Sequence, residues 1–246
     1  MTDAIQPVLP PPAEASEPRL DVAPRLTDLI DALLRDPSAV FEWLRDGGSP
    51  RAVGLLAAVT LAIYAGYGVL VGLFSGGAQV YWVPLKLAGG ALFCAAICLP
   101  SLLVFASLSG GRVRLGQAVG LLVLTNALSA LLLVGFAPVA WVFTTSVSSP
   151  GFMASIHVLF WGIALYFGLR PLPRGLTRFQ ATAPRYLGLW IGVFLVTLFQ
   201  TTTALRPLLG KAQPGVANEP TFFVAHWLDT LGVDLADPGH ESERRR

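Results

Sequence analysis

Five long apolar runs follow one another along the chain, separated by short segments rich in glycine, proline and charge. They lie near 52–74, 85–108, 115–136, 152–169 and 186–204. A helix needs about 20 apolar residues to cross a bilayer. The pattern therefore predicts an all-α integral membrane bundle with five transmembrane helices, in a domain over 52–209. The third run reaches Phe143 if its helix continues through Pro138. Four or six spans are alternatives, but merging two runs would place loop arginines in lipid.

The segment 25–48, ahead of the first run, has the pattern of two short amphipathic helices. Apolar residues recur on one helical face from Leu26 to Leu34, and Asp36 with Pro37 predicts the start of a second helix that ends at Gly47. We expect both helices to lie in the cytoplasm, against the membrane surface or the end of the bundle. Residues 1–24 are proline-rich and polar, which predicts a disordered leader and no secretory signal peptide.

After the fifth run, residues 211–246 predict an exoplasmic tail. Within it, "PTFFVAHWLDTLGV" at 220–233 places its apolar residues on one helical face. Fourteen residues are too few to span a bilayer, so this segment predicts an interfacial helix lying flat on the membrane.

Charge is scarce and unevenly placed. Charged residues are 13% of the chain, against about 25% in soluble domains. Positions 47 to 218 hold ten cations and no Asp or Glu. Of the cations near span ends, eight fall on the side of the N-terminus and three on the other side. The positive-inside rule then places the N-terminus in the cytoplasm and the C-terminus in the exoplasmic space.

The missing carboxylates limit the chemistry that the spans can perform. Ion-coupled transporters and aspartyl intramembrane proteases need acidic residues inside the membrane. Cys94 and Cys98 are four residues apart in one apolar run, which suits packing rather than a disulfide or a metal site. A serine–histidine pair between Ser101 or Ser155 and His157 would lack a third residue to orient the base. We therefore expect no enzyme activity, no cofactor and no metal.

A few polar residues in or beside the spans are candidates for structural, lipid or anion contacts. Arg206 follows the fifth span, and Pro207 leaves the last carbonyls of that helix without donors, so the arginine is expected to cap them, reach a lipid phosphate or pair with an acid of the tail. Lys86, His157 and Gln200 are expected at a similar depth. Asn126 lies in the middle of the third span and is expected to bond a neighbouring helix, with substrate binding as the alternative.

Glycines repeat at four-residue spacing in two spans. They are Gly68, Gly72 and Gly76 in the first span and Gly188 and Gly192 in the fifth. This spacing lets helices approach closely, so we expect packing within the bundle or between two copies of the chain.

Three stretches resemble the Yip family of polytopic membrane proteins, in a bacterial branch with a closing Leu-Arg-Pro motif. They are "LLRDPSAVFEWLRDGGSPRAVGLLAAVTLAIYAGYGVLVG", "LKLAGGALFCAAICLPSLLVFASLSGGRVRLGQ" and "LFQTTTALRPLLG", within a resemblance that runs from about residue 33 to 233. The chain departs from that branch at Thr202, where a tryptophan is usual. The resemblance implies five spans, a cytoplasmic N-terminus and a role in membrane organisation or trafficking without catalysis.

These observations favour a non-catalytic scaffold or membrane organiser in the cell inner membrane. A small transporter or channel subunit, preferring anions, is the alternative. The expected partners are membrane lipids, anionic at the cytoplasmic face, with a homodimer or another membrane protein as a further option, and no nucleic acid.

Overall fold

A computed structural model describes residues 24–147, 149–181 and 184–204, together with Leu20. All regular elements in these ranges are helices: α1 (Leu26–Arg35), α2 (Pro37–Arg45), α3 (Pro50–Ser75), α4 (Gln79–Leu108), α5 (Leu115–Ser146), α6 (Pro150–Leu169), α7 (Leu172–Thr177) and α8 (Pro184–Ala204). Most of the leader, Arg206 and the predicted interfacial helix 220–233 lie outside the described residues.

Four segments are long and apolar enough to cross a membrane. They are Pro50–Phe74, Gln79–Leu108, Leu115–Ser146 and Gly151–Thr177, while the apolar part of α8, Arg185–Thr201, is shorter. The chain is therefore helical over its described residues, with four candidate spans by length and composition, which is compatible with a multi-pass membrane protein. Helix α4 begins six residues before the predicted start at Leu85, and α5 continues through Pro138 to Ser146.

The long helices pack as an open bundle around α3 and α5. Helix α3 lies along both α4 and α5, α6 packs on α5, and α8 packs on α4. Buried side chains form two apolar clusters. One cluster includes Leu102, Leu121 and Trp190 near the ends that carry α1 and α2, and the other includes Leu133 and Phe160 farther along the helices. The packing is helix on helix throughout, as the apolar pattern predicts.

Helices α1 and α2 form a layer against one end of the bundle. The carboxylate of Asp36 accepts a hydrogen bond from the backbone N–H of Ser38 at 3.0 Å, and Pro37 occupies the first position of α2, as the sequence predicts. The apolar faces of the two helices are buried, with Leu29, Phe41 and Leu44 at most 3% exposed. Of the two placements that the sequence left open, the layer takes the bundle end.

Close approaches fix this layer to the helices behind it. A Cβ added to Gly175 of α7 would lie 2.8 Å from the ring of Phe41, and one added to Gly120 of α5 would overlap the side chain of Leu44. The side-chain amide of Gln117 donates to the carbonyl of Arg45 at 3.2 Å. Burial of one such aromatic or leucine side chain contributes about 1.5–3 kcal/mol, so the apolar contacts hold the layer in place.

Candidate functional site

The interior of the bundle contains two tyrosines, one helical turn apart on α3. Tyr64 is 1% exposed and Tyr67 is 3% exposed. Their spacing places both on the face of α3 that meets α5 and α6. A buried phenol requires a hydrogen-bond partner, because leaving it unpaired in an apolar interior carries a penalty. Each tyrosine finds one on a different helix.

Tyr67 pairs with His157 of α6. The hydroxyl lies 2.9 Å from Nδ1 of the imidazole, and the two rings meet edge-on with centroids 5.6 Å apart. The imidazole tautomer sets the direction of this bond: the phenol donates when Nε2 carries the ring hydrogen, and Nδ1–H donates to the phenol oxygen in the other tautomer. Nε2 is buried and has no hydrogen-bond partner among the described residues. The pair joins the first predicted span to the fourth.

Tyr64 pairs with Asn126 of α5. Its hydroxyl lies 3.1 Å from the main-chain oxygen of Asn126 and 3.3 Å from the side-chain oxygen, and the amide nitrogen of Asn126 donates to the carbonyl of Leu122 at 2.8 Å. The Tyr64 ring stacks on Trp161 with centroids 5.3 Å apart. Tyr64 thus links α3 to α5 through the main-chain and side-chain oxygens of Asn126.

A third polar contact joins α8 to α4. The indole N–H of Trp190 lies 3.1 Å from the hydroxyl of Ser101 and 3.3 Å from the carbonyl of Cys98. Ser101 itself donates to the carbonyl of Cys98 at 2.8 Å. Cys94 and Cys98 are buried free thiols. Ser101 directly follows Pro100 and Cys98 lies two residues before it, so the contact lies where the proline interrupts the backbone ladder of α4.

Most other buried or half-buried hydroxyls bond their own helix. Thr60, Thr125, Ser129 and Ser155 each donate to the carbonyl four residues earlier. Ser155 bonds Gly151, Ser101 bonds Cys98, and the recorded partner of His157 is Tyr67. The geometry thus gives neither serine hydroxyl to His157, which a nucleophile and its base would require.

The remaining sequence candidates are dispersed. Lys86 is half-buried on α4, and Gln200 is exposed near the end of α8. Arg206 lies outside the described residues. His157 and Asn126 are both central, but each is bonded to a different tyrosine. Within the described part of the chain, His157 and Asn126 therefore belong to two separate contacts.

The five glycines that the sequence predicted to pack helices fall into three groups. A Cβ on Gly68 would lie 2.6 Å from the Cα of Pro84, and one on Gly72 would lie 2.7 Å from the carbonyl of Gln79, so both glycines admit the backbone of α4. Gly76 ends α3 at φ +68° and has open space around it, so it serves the turn rather than the packing face. Gly188 and Gly192 are exposed, and an added Cβ would meet no described atom within 4 Å.

Sequence reasoning missed the two tyrosines and the contact between α2 and α7. Tyrosine is usual at membrane interfaces, and two tyrosines in the interior of an apolar run are a signal that could have drawn attention to them. The ion pair between Glu42 and Arg178 joins residues far apart in sequence, and no local pattern indicates it.

The described residues contain no group of three or more His, Cys, Asp or Glu side chains that could hold a metal ion. Comparisons of the chain with protein-family models, with curated proteins and with solved structures found no match.

Proposed function

We propose that this chain is a non-catalytic, five-span scaffold or organiser of the cell inner membrane, similar in kind to Yip-type proteins. In this proposal the N-terminus and the α1–α2 layer are cytoplasmic, and the C-terminal tail is exoplasmic.

The observation that carries the proposal is how the polar groups of the interior are used. Tyr64, Tyr67 and Trp190 each bond a residue of another helix, so the polar side chains hold helices together. A transporter needs side chains that exchange partners with a cargo, most often ionisable ones. Polar groups that are held in helix–helix contacts favour a protein that acts through a fixed arrangement of its helices, as a scaffold does.

The fifth span of the proposal is α8. Its 21 residues correspond to about 32 Å at 1.5 Å per residue, close to the thickness of the hydrocarbon core. Trp190 and Phe194 bury one side of α8 in the apolar cluster beside α4, and the opposite side carries exposed Leu189 and Val196, as on a helix that faces lipid.

The orientation rests on the arginines at the end that carries the α1–α2 layer. That end gathers Arg51, Arg112, Arg114, Arg174 and Arg185, all exposed. The positive-inside rule assigns such an end to the cytoplasm.

Exposed Gly188 and Gly192 leave a face of α8 on which a second copy or another membrane protein can pack closely.

Reporter fusions, crosslinking and a flux measurement test the proposal. A periplasmic-active reporter fused after Gly210 should be active, and one fused after Thr177 should be inactive; the opposite result would overturn the topology. Crosslinking in native membranes followed by mass spectrometry should then recover a stable protein partner or a dimer. Chloride or phosphate flux through the purified protein in liposomes, well above that of empty vesicles, would favour the channel or transporter function instead.

A further inference from the structure

Two connections that are distant in sequence meet at the end of the bundle that carries the α1–α2 layer. The backbone N–H of Arg112, between α4 and α5, donates to the carbonyl of Phe179, after α7, at 3.1 Å. A Cβ on Gly111 would lie 2.9 Å from the Cβ of Ala181. The two connections therefore form one joined surface.

The backbone at this junction is tightly turned. Gly110 has φ +82°, and Gln180 has φ +66°, in the left-handed region that side chains other than glycine seldom adopt. Glycine adopts it freely, but at Gln180 such a conformation costs about 1–3 kcal/mol and persists only where surrounding contacts fix it. The turns thus give the side chains beside them a defined position.

Four exposed arginines lie on these joined connections and on the adjacent helix α7, and we call them the arginine surface: Arg112, Arg114, Arg174 and Arg178. Arg178 forms an ion pair with Glu42 of α2. For Arg112, Arg114 and Arg174, no carboxylate lies within ion-pair distance among the described residues. Within the described part of the chain, these three guanidinium groups therefore remain for a further anion.

The chemistry of these cations indicates phosphate. Both lysines of the chain, at positions 86 and 211, belong to other segments, so every cation of this surface is an arginine. The guanidinium fork matches two phosphate oxygens at once, which an ammonium group does not.

Apolar side chains beside the arginines indicate the source of that phosphate. Leu108, at the end of α4, is 56% exposed, and Leu115, at the start of α5, is 59% exposed. Both lie within four residues of Arg112. An anionic phospholipid places a phosphate and acyl chains side by side in this way, whereas a soluble phosphate would gain nothing from the leucines.

We propose that the arginine surface binds the phosphate of an anionic phospholipid headgroup, with the acyl chains lying along α4 and α5 beside Leu108 and Leu115. This inference rests on the proposed membrane placement of the chain and makes the lipid a specific ligand of the joined connections.

The test measures binding of single lipids to the purified full-length protein by native mass spectrometry. Phosphatidylglycerol should bind more tightly than phosphatidylcholine. The double variant Arg112→Gln/Arg174→Gln should bind phosphatidylglycerol roughly 25-fold more weakly, at about fivefold per arginine near a lipid surface. The matched control, Arg25→Gln/Arg35→Gln at the two ends of α1, removes the same charge from exposed positions and should bind as the wild type does.

Equal affinity for the two lipids, or equal losses in the two double variants, would overturn the proposal. Inorganic phosphate should not displace the lipid at equal concentration, and displacement would assign the site to a soluble phosphate. If the double variant unfolds, Arg114→Gln compared with Arg35→Gln gives the same reading for one arginine. The scaffold role is tested separately by topology and crosslinked partners, so either can fail alone.

Discussion

At the scale of single residues, the bundle depends on tyrosine hydroxyls whose partners lie on other helices. Tyr67 and His157 are both more than nine-tenths buried, so neither can exchange its partner for water without opening the helices. Removing one member of a buried hydrogen-bonded pair costs more than removing both, because the remaining polar group stays buried without a partner.

Replacing Tyr67→Phe should therefore destabilise the protein by about 1–3 kcal/mol, measured by unfolding in mixed detergent micelles. The double variant Tyr67→Phe/His157→Leu should recover much of that loss, since no unpaired imidazole remains. Tyr81→Phe is the matched control, because Tyr81 is 81% exposed and should tolerate the change. A harmless Tyr67→Phe would show that the hydrogen bond contributes nothing.

At the scale of helices, the approach of α3 to α4 depends on glycine at two positions of one face. Gly68 and Gly72 lie against the backbone of α4, where no side chain can move aside to make room. Gly66, only two residues from Gly68, has no described neighbour within 4 Å of an added Cβ. The helix thus offers its own internal control.

Gly68→Ala and Gly66→Ala should have effects of opposite sign. At position 68 the new methyl group forces the helices apart, at a cost of about 1–3 kcal/mol. At position 66 alanine should raise stability by about 0.5–1 kcal/mol through its helix propensity alone. Thermal unfolding of the two variants in the same detergent makes the comparison. Equal effects would show that the close approach of α3 and α4 does not matter.

The α1–α2 layer should depend on its apolar contacts more than on its ion pair. Phe41→Ala removes a ring that is 2% exposed and should cost about 3–5 kcal/mol. Glu42→Gln breaks a partly exposed ion pair and should cost less than about 1 kcal/mol. Limited proteolysis between α2 and α3 should therefore be faster in the first variant only. Faster cleavage in Glu42→Gln alone would reverse this order.

Sequence alone could predict most helices but not their contacts. Asp36 with Pro37 indicated the start of α2 because capping is local chemistry. The start of α4 at Gln79 was missed because polar and aromatic residues continue a helix beyond its apolar run, and α7 was missed because "LPRGLT" has the composition of a loop. The pairing of Tyr67 with His157 depends on how α3 crosses α6. Such crossing geometry follows from packing and leaves no local signal.

At the scale of the whole molecule, the described arginines gather at the end that carries the α1–α2 layer, and the described connection at the opposite end, between α3 and α4, carries no charged residue. The connection between α3 and α4, at Gly76–Ala78, belongs to the second end, and Thr177 after α7 belongs to the first. Both Ala78 and Thr177 are exposed. Labelling of a cysteine introduced at either position can therefore report the orientation without truncating the protein.

An impermeant maleimide should label Ala78→Cys in intact spheroplasts and should label Thr177→Cys only after the membrane is opened. The two native cysteines are each 1% exposed and should give little background in the parent protein. Labelling of Thr177→Cys in intact cells would place the N-terminus outside and contradict the proposed orientation.

The two tyrosine contacts also bear on how the protein is made. Helix α3 leaves the ribosome before α5 and α6, which carry the partners of Tyr64 and Tyr67. Thr60 on α3 bonds its own helix, whereas the hydroxyls of Tyr64 and Tyr67 have their partners only after α5 and α6 have been synthesised. A chain ending at Val147 would supply Asn126 and never His157. In pulse–chase labelling, this truncated chain should be degraded faster than the full chain. Quality control of the new protein then depends on whether α6 has been synthesised.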